Sequence, residues 1–552
     1  MTRARWSWMS VGLLALLGWL VVYPLVLVGL GAFRGSQGWT LDFVRAVLKR
    51  PSELSAIWNS LWLSLASAGV AGLIGLPLAA LFALVEFPGR RVLGALIALP
   101  VVMPPLVGVV AFLFLFGESG FVARLVQAAL GLEQPPWRLE GAWAVLLVHA
   151  YAFYGYFYLL GRAGLAGIDR SLLEASAALG ANRWRTLRRV LLPLLRPTLV
   201  GAALLVFLSA LASFSAPYIF GGGFRVMPTQ IVATRLNGDD GIAMVETTIL
   251  TLVALAGLVI AGRLEGSATL TGGSKGGAPQ RTAPRSRTRR IGVAALAWLA
   301  AVVLLLPHAT LLLLSFVPAG TWTVETLPPV YTLGNYGALL TEPERLRPLL
   351  NSCWMAVVAT AAAMTIAVTA GIAAVRRRLP GARAIEALLA VPWAVPGTVF
   401  AIALAAVFSV DRPLALRIIL IGTPWLLPLA YLIRNLPLAS RPVLAGFRGL
   451  DPSLEEAAAT LGAGRWRRLR RITLPLLAPA LAAGATLAFA TALGDFVTSI
   501  VLYTYDTRPI SLEILSSLRQ SDVGVAAALG MVLTVLAGAV FALGNERRTV
   551  SQ

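Results

Sequence analysis

Long apolar stretches recur along the whole chain, separated by short segments where polar and charged residues concentrate. Twelve such stretches can be marked. They run over residues 11–33, 60–85, 92–116, 142–160, 198–219, 242–262, 293–317, 350–375, 387–410, 418–433, 480–503 and 523–544. A helix needs about 20 residues to cross the hydrocarbon core of a bilayer, and most of these stretches reach that length. The pattern predicts an all-α polytopic membrane protein with about twelve transmembrane helices.

The stretch 418–433 gives the weakest signal of the twelve. Arg417 precedes it directly, and Pro424 and Pro428 interrupt it. Proline removes a backbone donor and disturbs a helix interior. Eleven spans are therefore an alternative count.

Helix-breaking and polar residues recur in the same order in the two halves of the chain. The matched pairs are Asn59 and Asn351, Pro88 and Pro380, Pro100 and Pro392, and Pro104 and Pro396. Each half carries six predicted spans, so both copies have the same orientation. Parallel repeats of this kind are related by an axis along the membrane normal. We predict a first half at 1–262 and a second half at 291–552, with a pathway between them.

The segment 263–290 separates the two halves and is rich in Gly, Ser, Thr, Pro and Arg. Such a composition cannot bury a core and is typical of a flexible tether. We predict a cytoplasmic linker. Contact of its basic residues with anionic lipid is the alternative.

The composition agrees with a membrane protein, since 58% of the 552 residues are hydrophobic and 13% are charged. Soluble domains carry about 25% charged residues. The net charge of +21, from 46 basic and 25 acidic residues, at first suggests a nucleic-acid partner. However, the basic excess lies in alternate loops, which is the positive-inside pattern. We therefore predict an inner-membrane protein with both termini in the cytoplasm and no nucleic-acid partner.

The best-matched repeat lies between apolar stretches, not within one. Residues 169–197 read DRSLLEASAALGANRWRTLRRVLLPLLRP, and residues 451–479 read DPSLEEAAATLGAGRWRRLRRITLPLLAP. Asp169 and Asp451 are suitable N-caps for a short Ala-rich helix, and Gly180 and Gly462 are suitable C-cap residues. A second, basic helix follows in each copy. We call the two segments the first elbow and the second elbow.

A short helix of small residues that begins with an acid is suited to a groove on a partner protein. A helix resting on lipid head groups is the alternative interpretation. The elbows resemble the cytoplasmic EAA loop of the permeases of binding-protein-dependent ABC importers. The matching residues are Glu174, Ala175, Ser176, Gly180 and Pro193 in the first elbow, and Glu456, Ala457, Ala458, Gly462 and Pro475 in the second. The first copy departs from the pattern at Ser176.

The resemblance implies that each elbow docks into one of two ATP-binding subunits. It places the contact at Glu174, Ala175, Gly180, Pro193, Glu456, Ala457, Gly462 and Pro475. It also implies an extracytoplasmic substrate-binding protein as a further partner. The only lysines, Lys49 and Lys275, do not follow a Walker A pattern, so we predict a transport subunit without its own ATPase site. No cofactor or metal is predicted.

Few residues in the apolar stretches carry chemistry. Asp495 and Glu246 are acids at membrane depth, where a carboxylate usually faces a cavity or a partner. Each either lines a pathway or makes a structural hydrogen bond. For His149 and His308, a polar contact between helices is favoured over a metal site. Cys353 is the sole cysteine, which excludes an intramolecular disulfide.

The fused two-half layout resembles ferric iron permeases first, and thiamine or phosphonate permeases next. The resemblance therefore implies ferric iron as substrate, with thiamine or a phosphonate as alternatives. An ion-driven secondary transporter is the rival from another class. It would place charged residues at matched positions of the two halves, whereas Asp495 aligns with Ser213. The sequence contains no recognisable catalytic constellation, which argues against a membrane-embedded enzyme.

Overall fold

A computed structural model describes residues 8–35, 37–265, 284, 286–322 and 327–549. Most of the predicted linker, 263–290, lies outside the described residues. The helices of the first half are Trp8–Leu17, Tyr23–Gly31, Asp42–Lys49, Pro51–Leu84, Arg90–Ala98, Pro105–Phe116, Phe121–Leu130, Gly141–Ala166, Arg170–Ala178, Arg183–Thr186, Leu192–Leu211, Ser215–Phe220, Met227–Leu236 and Asp240–Glu265. A two-residue antiparallel ladder, Arg34–Gly35 with Gly38–Trp39, joins the first two of its long segments.

The second half repeats this order. Its helices are Arg287–Leu314, Gly334–Thr341, Pro343–Ala370, Ala382–Ala394, Gly397–Phe408, Leu426–Gly449, Pro452–Thr460, Arg465–Arg468, Leu474–Leu476, Ala478–Leu493, Val497–Leu502, Ile510–Arg519 and Val523–Thr549. Short π-helical turns at Gly18–Val22, Leu187–Leu191, Gly371–Arg376 and Leu469–Thr473 and 3₁₀ turns at Leu99–Val102 and Pro413–Ala415 interrupt or extend these helices. The predicted all-α membrane fold is confirmed.

Within the described residues, nine helices are long and apolar enough to cross a membrane, and eleven spans result if each of two bent pairs counts as one. The predicted span missing from this count is the tenth, the weak stretch 418–433, and its bounds are wrong. Its first half is irregular chain, and the helix there is Leu426–Gly449. Pro428 lies in the first turn of this helix, where proline is tolerated. The helix carries Arg434, Arg441 and Arg448, so its apolar signal is diluted.

Prolines divide the third span of each half at the positions that the sequence marks. In the second half, Ala382–Ala394 and Gly397–Phe408 meet at an angle of 107°. In the first half, Arg90–Ala98 and Pro105–Phe116 are separated by a 3₁₀ turn that contains Pro100. Proline disturbs a helix, and Arg90–Ala98 ends two residues before Pro100 while Ala382–Ala394 ends two residues before Pro396.

The first helix of each half packs against the other half. Tyr23–Gly31 contacts Gly397–Phe408, and Arg287–Leu314 contacts both Arg90–Ala98 and Pro105–Phe116. The largest cluster of buried apolar side chains includes residues of both halves. The two repeats therefore share one core. The predicted halves 1–262 and 291–552 are sequence repeats and not separate packing units.

Small residues bring long helices into close contact inside each half. Gly75 of Pro51–Leu84 faces the backbone carbonyl of Tyr154, and a Cβ at this position would collide with that oxygen. Gly69, on the same helix, has open space around its Cα. Close approach through small residues is a general feature of helix packing in membranes.

Candidate functional site

The first elbow is a helix–turn–helix whose geometry follows from its caps. The side chain of Asp169 accepts a hydrogen bond from the backbone N–H of Ser171 at 2.9 Å, and the helix Arg170–Ala178 begins there. Gly180 has φ +72°, which favours glycine. The backbone N–H of Ala181 donates to the carbonyl of Ser176 at 3.1 Å. This closes the helix in the manner of a Schellman motif.

The second elbow has the same construction. Asp451 accepts a hydrogen bond from the N–H of Ser453 at 2.9 Å, which lowers the pKa of its exposed carboxyl. Gly462 has φ +81°, and the N–H of Ala463 donates to the carbonyl of Ala458 at 3.0 Å. The predicted elbow helices and their glycine ends are thus present in both copies.

Both elbows expose the same apolar residues. At the corner, Leu179 is 86% exposed and its counterpart Leu461 is 88% exposed. Trp184 and Trp466, at the start of the second helix, are 66% and 70% exposed. The predicted contact residues Glu174, Ala175, Gly180, Pro193, Glu456, Ala457, Gly462 and Pro475 are also exposed. Large apolar side chains that are exposed at matched positions are typical of a protein-binding surface.

The third position of the Glu-Ala-small pattern is the buried one in each elbow. Ser176 is buried and its Oγ lies 2.9 Å from the Oγ1 of Thr186, so the two helices of the first elbow are hydrogen-bonded to each other. Ala458 is buried at the same place in the second elbow. A small side chain suffices here, which is why the departure at Ser176 is tolerated.

Glu455 ties the second elbow to the end of a long span. Its two carboxylate oxygens accept hydrogen bonds from Thr473 Oγ1 at 2.7 Å and from Arg376 Nε at 2.8 Å. Burial raises the pKa of Glu455, but these two bonds outweigh burial and the pKa lies below its usual value. The stabilisation is therefore complete above the usual pKa and is lost only as the pH falls through the lowered one. The first elbow has Leu173 at this position.

Breaks in three helices meet where the halves join. Phe214 and Phe496, which occupy aligned positions, are both buried and have ring centroids 5.8 Å apart. Gly494 faces Pro104 of the other half, since a Cβ on Gly494 would lie 2.9 Å from the Pro104 Cβ. These breaks thus form part of the contact between the two halves.

Asp495 lies in the break between Ala478–Leu493 and Val497–Leu502, not within a continuous helix. Its Oδ2 accepts a hydrogen bond from Arg434 Nη1 at 2.7 Å. Its Oδ1 accepts from the backbone N–H of Thr498 at 2.9 Å. The Asp495 side chain is 2% exposed and the Arg434 side chain is 27% exposed. Arg434 also lies against Gly397, where any side chain would collide with the guanidinium.

Glu246 lies elsewhere, in a buried polar cluster of the first half. It contacts the carboxyl of Glu53, and its Oε1 accepts a hydrogen bond from Thr234 Oγ1 at 2.9 Å. Gln230 Nε2 donates to Glu53 Oε1 at 2.9 Å. Both acids are buried. The structure therefore does not bring Glu246 and Asp495 together.

The histidines make the predicted polar contacts between helices. His149 lies between Ser67 Oγ and Ser213 Oγ, each 2.8 Å from a ring nitrogen. His308 Nδ1 lies 3.2 Å from the hydroxyl of Tyr151, which belongs to the other half. The prediction for His149 and His308 is confirmed.

Sequence reasoning missed Arg434 and Glu53. Arg434 follows the apolar stretch 418–433 directly and resembles an ordinary loop arginine in the sequence. Glu53 precedes the stretch 60–85 and resembles an interfacial acid. Only the three-dimensional packing brings them to Asp495 and Glu246. One sequence signal does point to Asp495: the aligned position of the other half carries no acid.

The fold and these features define a membrane-spanning protein of two homologous halves, each with one elbow and a shared central contact. The family model of the binding-protein-dependent transport system inner membrane component matches residues 74–267 and again 363–545. The chain belongs to this family, and it is the permease component of an ABC importer.

Two curated relatives match almost the whole chain. The probable ABC transporter permease protein y4fN of Sinorhizobium fredii is 30% identical over 96% of this chain and 94% of its own length. The ferric transport system permease protein FbpB of Actinobacillus pleuropneumoniae is 28% identical over 96% of this chain and 76% of its own. Among solved structures, a bacterial ABC transporter for import of alginate overlaps 44% of this chain and 88% of that chain, with 23% identity and a TM-score of 0.37.

Proposed function

We propose that the two elbows are the docking sites of two separate ATP-binding subunits. The observation that carries this proposal is the matched exposure of Leu179 with Leu461 and of Trp184 with Trp466. Each elbow is also held rigid by its caps and by a contact between its two helices. A rigid, exposed apolar corner can enter a groove and transmit a movement to the span that follows it. The acids Glu174 and Glu456 lie on the exposed side of the same helices.

ATP hydrolysis belongs to those subunits and not to this chain. The sequence supports this division, since neither Lys49 nor Lys275 follows a phosphate-binding glycine loop. The chain supplies the membrane pathway and the two contact surfaces. Its partners are two ATP-binding subunits, a substrate-binding protein and the surrounding lipid.

The elbows and both termini face the cytoplasm in this proposal. The excess of arginine in and near the elbows supports the orientation through the positive-inside rule. The substrate-binding protein then docks on the opposite face, where the helices Met227–Leu236 and Ile510–Arg519 lie at matched places in the topology. Substrate passes between the halves by alternating access.

Asp495 lies on this pathway together with Arg434. Support comes from its place in a helix break beside the central Phe214–Phe496 contact and from the partial exposure of Arg434. A charged pair at membrane depth usually faces a cavity or a water-filled path. For Glu246 the pathway role stays a prediction. Its carboxyl is buried against Glu53 on the side of the first half.

Ferric iron is the proposed substrate. Two relatives that match 90% or more of this chain are named for ferric transport. Relatives named for molybdenum and sulfate transport match 39% and 29% of it, respectively. Thiamine and phosphonate stay alternative predictions, and the ion-driven transporter is excluded by the family. Ligand identification on the binding protein that co-purifies with this chain tests the choice, and recovery of thiamine or a phosphonate in place of iron would overturn it.

Charge reversal on both elbows tests the docking proposal. We expect Glu174→Arg with Glu456→Arg to abolish substrate-stimulated ATP hydrolysis in the reconstituted complex while membrane insertion stays intact. Glu133→Arg with Glu344→Arg is a matched control, because both residues are exposed and neither belongs to an elbow. Its ATP-binding subunits should co-purify as with the native chain. Normal coupling in the elbow variant would disprove the assignment.

A further inference from the structure

A groove lies at the C-terminal end of the first elbow, where the helix Leu192–Leu211 begins. Its volume is about 580 Å³. Its lining comprises Phe157, Arg188, Leu192, Pro193, Arg196, Leu199, Val200 and Ala203. Two arginines thus stand over an apolar wall, and no carboxylate is among the lining residues.

The groove opens to the surroundings of the protein. Only 17% of the most apolar 18-residue stretch of the span Trp184–Leu211 is buried inside the protein, so most of this stretch faces lipid. Arg188 and Arg196 are both exposed. Among the described residues, neither guanidinium has an ion-pair or hydrogen-bond partner.

We propose that this groove binds one anionic phospholipid. Its phosphate lies between Arg188 and Arg196, and an acyl chain lies along Leu199, Val200 and Ala203. Arginine binds phosphate oxygens through paired N–H donors, and basic pockets between membrane helices are suited to lipids with more than one negative charge. Two positive charges make the dianionic cardiolipin a better ligand than phosphatidylcholine, whose head group is neutral overall.

The second half provides an internal comparison. The positions aligned with Arg196 and Phe157 are Ala478 and Ala439, so one of the charges and the aromatic wall are missing there. In addition, the helix is bent by 71° between Arg465–Leu476 and Ala478–Leu493. The lipid site is therefore specific to the first half. The proposal needs only a membrane-embedded chain and does not depend on elbow docking.

Native mass spectrometry of the full-length chain in detergent tests the site, with cardiolipin and phosphatidylcholine as separate probes. We expect one tightly held cardiolipin, and a Kd at least tenfold higher for Arg188→Gln with Arg196→Gln. The matched control Arg470→Gln with Arg471→Gln removes two arginines from the second elbow and should keep the native Kd. Inorganic phosphate in excess should not displace the lipid.

A second pair of variants tests the apolar wall without changing charge. Ala203→Trp fills the groove and should also weaken cardiolipin binding at least tenfold. Ala485→Trp, at the aligned position of the second half, should not. The proposal is overturned if both first-half variants retain the native Kd, if the second-half variants lose as much, or if phosphatidylcholine binds as tightly as cardiolipin. Displacement by inorganic phosphate would instead mark a free-anion site and would also overturn it.

Discussion

The ion pair between Arg434 and Asp495 should show strong energetic coupling, and its two single variants should lose unequal amounts of stability. Replacing Asp495 by Asn keeps an oxygen for the N–H of Thr498, 2.9 Å away, and removes only the charge that Arg434 contacts at 2.7 Å. A hydrogen bond to a charged group contributes about 1.5–3 kcal/mol. Arg434 is 27% exposed and stays partly hydrated, so we expect Asp495→Asn to cost about 2 kcal/mol.

The reverse change should cost more. Arg434→Gln leaves the Asp495 carboxylate, 2% exposed, without its counter-ion. Breaking a buried pair in this way costs about 3–5 kcal/mol. The double variant leaves neither charge buried alone. It should lose less than Arg434→Gln by itself, with a coupling energy of about 2–3 kcal/mol, which is at least the cost of Asp495→Asn.

Thermal unfolding of the four proteins in detergent, followed by tryptophan fluorescence, measures the order of stability. We expect the native chain to be the most stable and Arg434→Gln the least stable, with the double variant above Arg434→Gln. The reasoning is refuted if the double variant loses the sum of the single effects, or if Arg434→Gln is no worse than Asp495→Asn.

Three further variants test the packing and the elbows. Gly75→Ala should lower the free energy of unfolding by about 1–3 kcal/mol because its Cβ meets a backbone carbonyl, whereas Gly69→Ala on the same helix should be neutral or stabilising; equal thermal shifts would contradict the packing. Glu455→Ala removes the carboxylate acceptor of Arg376 Nε and Thr473 Oγ1 and should cost about 1–3 kcal/mol locally, so amide exchange should quicken in the second elbow and not in the first. Trp184→Ala with Trp466→Ala should weaken co-purification of the ATP-binding subunits about tenfold or more, and unchanged recovery would argue against the exposed corners as the contact.

Local chemistry predicts much of this fold. Apolar length predicts most of the spans, and Asp and Gly predict both ends of the elbow helices. The matched prolines mark the places where the structure divides the third spans. These features depend on neighbours in the sequence, and periodicity and capping report them directly. The alignment of the two elbows also predicted the contact residues, which are exposed in both copies.

Long-range packing explains what the sequence does not predict. The bounds of Leu426–Gly449 escape a search for apolar length, because the arginines of this helix are accommodated by ion pairs, aromatic contacts and glycine. The contact of Glu53 with Glu246 joins two spans that are far apart in the chain. The packing of the first helix of each half against the other half likewise leaves no signal in the local sequence.

Cysteine cross-linking from the elbows tests the central claim most directly. In a Cys353→Ser background, Ala175→Cys and Ala457→Cys each place one thiol on an exposed elbow helix, and Asn237→Cys places one on an exposed site remote from the elbows. In the assembled transporter, both elbow thiols should cross-link to an ATP-binding subunit and the thiol at position 237 should not. Failure of both elbow thiols, in a complex that still imports substrate with ATP, would contradict the account.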